Sequence, residues 1–301
     1  MRHPRQSAAR LFGAIALLAI TCLSASLDAY AQRGARLYDV TVDATDLTAA
    51  FEEAMRIAVV RATGKRDAAN DAALAGLVSQ ARRYVSTFKP AAGGGTLVTF
   101  DGAAIERAIV AAGRSVWPRE RPLTLVVLQG GGAESGKALT ETAQLRGLPV
   151  TIANGAAASA ATGREQALAA AQRAGADAVL VGDGSGVANG GPWRWSLYSQ
   201  TASENWAGSL DDGVHGATDA LARAAEAVLA LPEIESRIDV AGVATLKDFA
   251  TVSSALAEIA GVRRLAVIEA GPSGVTYSVV ARGGADMLLS ALGSDSRFER
   301  L

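Results

Sequence analysis

Several short stretches of this sequence carry residue types that could do chemistry. Gly131-Gly-Ala-Glu-Ser-Gly136-Lys137 fits G-x-x-x-x-G-K, a loop whose backbone N–H groups cradle phosphates while the lysine reaches the terminal ones. The next residue is Ala138, however, where that chemistry needs a Ser or Thr hydroxyl on Mg²⁺. Gly182-Asp183 ends the apolar run Val179-Leu-Val and could offer a metal-holding carboxylate, although Gly-Asp is also an ordinary turn pair. Gly182-Asp183-Gly184-Ser185-Gly186 resembles a nucleophile elbow only in part, because Asp183 stands where G-x-S-x-G requires glycine. A Ser-His-Asp triad would have to use His215, and the sequence identifies no partner for it. Asp211-Asp212, just before the same Ala-rich helix, read as negative charge complementing its dipole, with a two-carboxylate metal site unsupported. Trp193 and Trp195 are two apart and so share a strand face with Leu197, which Trp206 can oppose across a hairpin. Packing is the default explanation of that stripe, at roughly 0.2 to 1 kcal/mol per cross-strand aromatic pair. Were the face exposed, Trp193, Trp195 and Trp206 would form the candidate interaction surface. No catalytic, cofactor-binding or metal-ligating residue is assigned, and no cofactor is expected.

The elements that position these residues follow from periodicity. Leu37 to Val42 alternates as a half-buried strand, and Asp46 can cap a helix with Leu47, Phe51, Met55 and Val59 on one stripe, closed by Gly64. A second helix is expected from about Asp71 to Phe88, ending before Pro90, then a strand from Thr96 to Phe100 and a short helix from Ala103 to Ala112. This gives a β-α-α-β-α module over residues 32–117. Trp117-Pro118 and Arg121-Pro122 break the chain. The middle module, 118–232, reads as strand Leu123–Leu128, helix from about Lys137 to Arg146, strand Leu148–Ile152, helix Arg164–Ala174 and strand Ala178–Val181. A hairpin of Trp193–Tyr198 with Asn205–Leu210 and a long helix from Val214 to Leu229 complete it. Helices between apolar strands favour a mixed sheet there. The last module, 233–301, has the order β-α-β-β-α-β of a ferredoxin-like split βαβ, ending in a strand at Phe298 to Leu301. The fold class is α+β, as three small α/β modules in series.

The amino-terminal residues read as a cleavable export signal. Arg2, Arg5 and Arg10 precede any acid, Leu11 to Leu23 is uncharged, and Ala29-Tyr30-Ala31 places the cut between Ala31 and Gln32. The apolar run is well short of the roughly 20 residues that span a bilayer, so no transmembrane anchor is expected after cleavage. Cys22 is the chain's one cysteine, and a lipoprotein acylated there is the lesser alternative, since Thr21 stands where a lipobox has Gly, Ala or Ser. Loss of the signal would leave no cysteine, which excludes a thiol nucleophile and a cysteine metal site. The net charge of −1 shows no basic excess toward nucleic acid or anionic lipid. With His3 in the signal, His215 alone cannot build a metal site needing several imidazoles.

Several of these stretches, in this order, resemble the bacterial domain-of-unknown-function family 2066, exported proteins of Gram-negative proteobacteria. They are Arg36-Leu-Tyr-Asp-Val-Thr-Val42, Arg83-Tyr-Val-Ser-Thr-Phe88, Val98-Thr-Phe-Asp101 leading through Ala112-Gly113 to Trp117 and Arg121-Pro122-Leu123, then Arg146-Gly-Leu-Pro149, Gly175 to Gly182, Trp193-Arg-Trp195 and Val240 to Leu301. The resemblance implies a periplasmic location and carries over no catalytic residue. The middle module also looks like small α/β modules of envelope proteins, periplasmic activators of penicillin-binding proteins among them, at the level of fold alone. The expectation is a non-enzymatic interaction or scaffold protein of the Gram-negative envelope, partnered by another envelope protein. The alternative is a small-ligand binder or hydrolase with its site near the Gly131–Lys137 loop, drawing on Lys137, Asp183 or His215.

Overall fold

The computed structural model describes residues 37–44, 46–130, 132–153, 163–259, 261–271, 274–293 and 298–299. The expected signal peptide, with Cys22 and the Ala31/Gln32 cut, lies outside the described residues, as does Gly131. The described residues fall into two compact units, one made of those up to Ala62 with Asp67–Arg121, the other of Thr63–Arg66 with those from Pro122 onward.

In the first unit, β1 (Asp39–Val42) turns Val40 and Val42 inward. Asp46 accepts a hydrogen bond from the Ala49 N–H at 2.8 Å and opens α1 (Leu47–Thr63), which buries Phe51, Met55 and Val59 along one stripe. The helix expected from Asp71 to Phe88 does not form. Asp71 caps a short 3-10 turn, α2 is confined to Ala75–Ser79, and Val85–Pro90 becomes β2. β-branched Val85 and Thr87 are stiff in a helix, and β3 (Thr96–Phe100) offers the stretch an antiparallel ladder instead. β3 lies between β1 and β2. Asp101 caps α3 (Gly102–Ala111) through the Ala104 N–H at 3.0 Å, and Ile105 and Ile109 close the core.

The second unit holds a five-stranded sheet of order β5-β4-β6-β7-β8, formed by β4 (Thr124–Gln129), β5 (Val150–Ile152), β6 (Ala178–Asp183), β7 (Trp193–Ser199) and β8 (Ser203–Gly208). β5, β4 and β6 run parallel, and β7 and β8 add an antiparallel hairpin. Parallel neighbours require crossovers, supplied by α4 (Ala133–Arg146) and α5 (Arg164–Arg173). α5 covers the face carrying Leu125, Val127 and Val179. The alternation of the strands turns Leu180, Gly182 and Trp195 to the opposite face, covered by α6 (Asp212–Ala230), against which α4 packs.

A further sheet of order β10-β11-β9 joins β9 (Glu233–Ala241), β10 (Val262–Gly271) and β11 (Gly274–Arg282), every pair antiparallel. α7 (Leu246–Glu258), opened by a reciprocal Thr245–Asp248 capping box, and α8 (Gly284–Gly293) bury Leu256 and Leu288 around Tyr277. The order is that of a split βαβ. Of its expected last strand, Phe298 and Glu299 are irregular, and Arg300 and Leu301 lie outside the described residues. The chain is thus α+β, built from several small modules around three sheets. Among the described residues no helix is long and apolar enough to cross a membrane.

Candidate functional site

β4 is buried along most of its length because helices cover both of its faces, and it delivers Gln129 and Gly130 to the end of the parallel strands. Gln129 stands in register with Asp183 on β6, and the Gly184 N–H donates to the Gln129 carbonyl at 2.8 Å. The sheet order reverses between β4 and β6, so the glycine-rich turn into α4 lies where open α/β sheets form their crevice. α4 starts at Ala133, earlier than the expected Lys137, and its N-cap Gly132 supplies no side-chain cap. Lys137 is exposed on the helix.

The polar residues named from sequence are held apart by separate partners. Asp183 accepts from the Arg194 guanidinium at 2.7 Å and from the Ser185 N–H at 2.9 Å. Those bonds pull its carboxyl down to about 2, with the Arg194 hydrogen bond the leading cause. Asp183 and Ser185 therefore form a turn locked to β7, with no imidazole in it. Asp212 accepts from the Ser209 backbone and hydroxyl at 3.0 and 2.9 Å and from Arg66 at 3.1 Å, and it too is held below the usual carboxylate range. Asp211 accepts from the Thr142 hydroxyl at 3.1 Å instead of sharing a site with Asp212. Among the described residues no three His, Cys, Asp or Glu side chains gather as metal ligands would.

His215 belongs to a network that sequence reasoning missed. Arg146, 2 % exposed, ends α4 and sends its guanidinium to Asp219 Oδ1 at 2.6 Å, the Gly64 carbonyl at 2.8 Å and His215 Nδ1 at 2.9 Å. His215 and Asp219 are four apart on α6 and so share a face. The tetrapeptide Thr63–Arg66 is fixed by the same surface: the Arg66 N–H donates to Asp219 at 3.2 Å and Lys65 pairs with Glu226 at 2.9 Å. One signal was available in sequence, the i, i+4 spacing of Asp211, His215 and Asp219. Arg146 itself reads only as a cation complementing a helix C-terminus before Gly147.

The network decides what His215 can do. A guanidinium has only donors, so Nδ1 accepts and Nε2 carries the hydrogen. Protonation would set two cations side by side, and burial together with Arg146 and Arg66 lowers the pKa of His215. The imidazole is thus a fixed neutral group and a poor general base. A folded pKa below the unfolded value makes its contribution to stability complete above pH 6.5 and progressively lost as pH falls through that value toward the folded one. Melting temperatures at about pH 7.5 and about pH 5.5 should show a drop that His215→Gln largely removes. Asp183 and Asp212, held low, titrate below that window. An undiminished drop in the variant would assign the effect elsewhere.

The tryptophans do not present an open face. Trp195 is 1 % and Trp193 7 % exposed, their rings stacked at 5.5 Å with that of Trp195 against α6, and Trp206 is half-buried. Trp195 Nε1 donates to the Ser209 carbonyl at 3.1 Å and Trp206 Nε1 to the Asp212 carbonyl at 2.9 Å. Gly213 on α6 and Gly182 on β6 admit the Trp195 ring. A Cβ at Gly213 would lie 2.5 Å from it, and one at Gly182 closer still. The condition for Trp193 and Trp195 to serve as an interaction surface, exposure, is not met: α6 and β6 close on the Trp195 indole, and Trp193 is buried between Trp195 and Gly184.

Residues 31–118 match a family model described as a domain of unknown function (DUF8605). The match corrects the resemblance to family 2066, which is a different family. The short stretches on which that resemblance stood, such as Leu37 to Val42, are what any half-buried strand entering a small α+β core requires. No curated protein matches the chain.

Proposed function

We propose that the chain is a non-enzymatic interaction or scaffold protein of the Gram-negative cell envelope, working in the periplasm after loss of residues 1–31. One observation carries the reading: apart from the exposed Lys137, the polar and aromatic side chains singled out in the sequence are held by partners within the fold. His215 serves Arg146, Asp183 serves Arg194 and Ser185, the indole of Trp195 packs against α6 at Gly213, and that of Trp193 stacks on it. Catalysis needs such groups to converge on space a substrate can enter. The arginines and the uncharged Leu11–Leu23 run support export, and the near-neutral charge favours a protein partner over nucleic acid. The intact mass of the protein recovered from the periplasm should correspond to a chain starting at Gln32, and proximity labelling there should recover an envelope protein. A membrane-bound form whose mass fits a chain from Cys22 carrying acyl groups would replace the soluble form by an acylated one. Retention in the cytoplasm, or labelling that repeatedly returns no envelope partner from folded protein, would overturn the proposal.

A second reading, a small-ligand binder near Gly131–Lys137, is favoured by the position of Gly130 and of the start of α4 at the reversal of strand order between β4 and β6. Calorimetric titration with inorganic phosphate and with nucleotides separates the two, since absence of heat removes the binder.

A further inference from the structure

Edge strands expose unpaired backbone groups, and most edges in this chain are blunted against pairing with another chain. β2 ends in Lys89-Pro90, β9 carries Glu233, Glu235, Arg237 and Asp239 at alternate positions, and β1 and β5 are short. β10 differs. It is 10 residues long, its middle is the apolar Leu265-Ala-Val-Ile268, and Val267 and Ile268 are 45 % and 54 % exposed. Among the described residues no strand pairs with its outer edge. Its charges are polarised along the strand, Arg263 and Arg264 near the start and Glu269 near the end. A second β10 laid antiparallel sets each basic end against the other's acidic end, whereas a parallel copy would set like against like.

We infer that β10 is a self-association edge, occupied by β10 of a second copy of this chain in antiparallel register about Ala266. Leu265 of each copy then lies opposite Val267 of the other, and the Arg263–Arg264 end of each copy lies toward the Glu269 end of the other. The β10-β11-β9 sheet becomes one half of a continuous sheet across a two-fold axis. The assembly closes at two copies, because each half presents the charged β9 edge outward, and that edge resists further addition. Irregularities between Val262 and Arg264 and between Val267 and Glu269 in the β10–β11 ladder add local twist at both ends of the apolar run, which confines pairing to Leu265–Val267. This inference goes beyond the envelope reading and holds or fails without it.

Sedimentation velocity on the purified protein should show a concentration-dependent monomer–dimer equilibrium. Val267→Lys should raise its dissociation constant at least about tenfold. A geometric test needs no loss of packing. With Cys22→Ser as background, Ala266→Cys should give a disulfide-linked dimer under mild oxidation, because directly opposed strand residues fall within disulfide reach. Arg237→Cys, on the β9 edge, should not. A monomer at every concentration, a dimer indifferent to Val267→Lys, or failure of Ala266→Cys to cross-link while folded overturns the inference.

Discussion

Truncating Trp195 to alanine should lower the stability of the second unit by about 3–5 kcal/mol, the range for removing a fully buried aromatic side chain. The ring is wedged between β6 and α6, and its Nε1–H holds the Ser209 carbonyl, so the loss combines a cavity with an unsatisfied acceptor. The opposite change should also hurt. Gly213→Ala puts a methyl group 2.5 Å from the same ring, an overpacking worth about 1–3 kcal/mol. The two faults share one volume, so Trp195→Leu combined with Gly213→Ala should cost less than the sum of the single changes by at least about 1 kcal/mol. Urea midpoints of the four proteins measure this coupling. Additive losses would show that helix and ring are not interlocked as described.

Arg146→Leu should cost about 3 kcal/mol, because it strands the Gly64 carbonyl, Asp219 and the His215 Nδ1 in a site built around a buried guanidinium. Arg146→Lys should still lose about 2 kcal/mol, since a point charge cannot reach partners in divergent directions as the planar fork does. Asp219→Asn should be milder, about 1 kcal/mol, because that side chain is 31 % exposed and water can replace part of the contact. Removing Arg146 also removes a cation that lowers the His215 pKa, so NMR titration of the variant should show the imidazole titrating at higher pH. A urea midpoint unchanged in Arg146→Leu would mean that the network is ornament to the packing of α4 on α6.

Much of this architecture is legible in the residues, with informative exceptions. The strands at Thr124–Gln129 and Ala178–Asp183 are apolar runs bounded by turns, and the helix at Asp212–Ala230 has one clear small-residue face, so local pattern and tertiary need agree. Around Asp71–Phe88 they disagree. Leu74, Leu77, Tyr84 and Val85 sit at helical spacing, yet pairing with Thr96–Phe100 decides the second half of the stretch, and the helical pattern does not report that partner strand. The tryptophan alternation reveals a shared face. Whether that face meets a helix or water depends on Gly213 and Gly216, whose missing side chains let the helix approach. Arg146 is the least legible. A terminal helix arginine before glycine is ordinary on a surface, and only the folded chain shows it almost sealed from water.

The lodging of Thr63–Arg66 among the side chains of α6 bears on how this chain can be dissected. A fragment cut at the proline-rich junction and starting at Pro122 keeps both later sheets, but it lacks the carbonyl, the backbone N–H and the two cations that Arg146, Asp219, Asp212 and Glu226 hold. The segment matched by the family model likewise includes four residues that fold with the other unit. Neither piece is a self-contained cassette. Domain swaps that respect only the linear boundary would leave a gap on one side and a loose loop on the other.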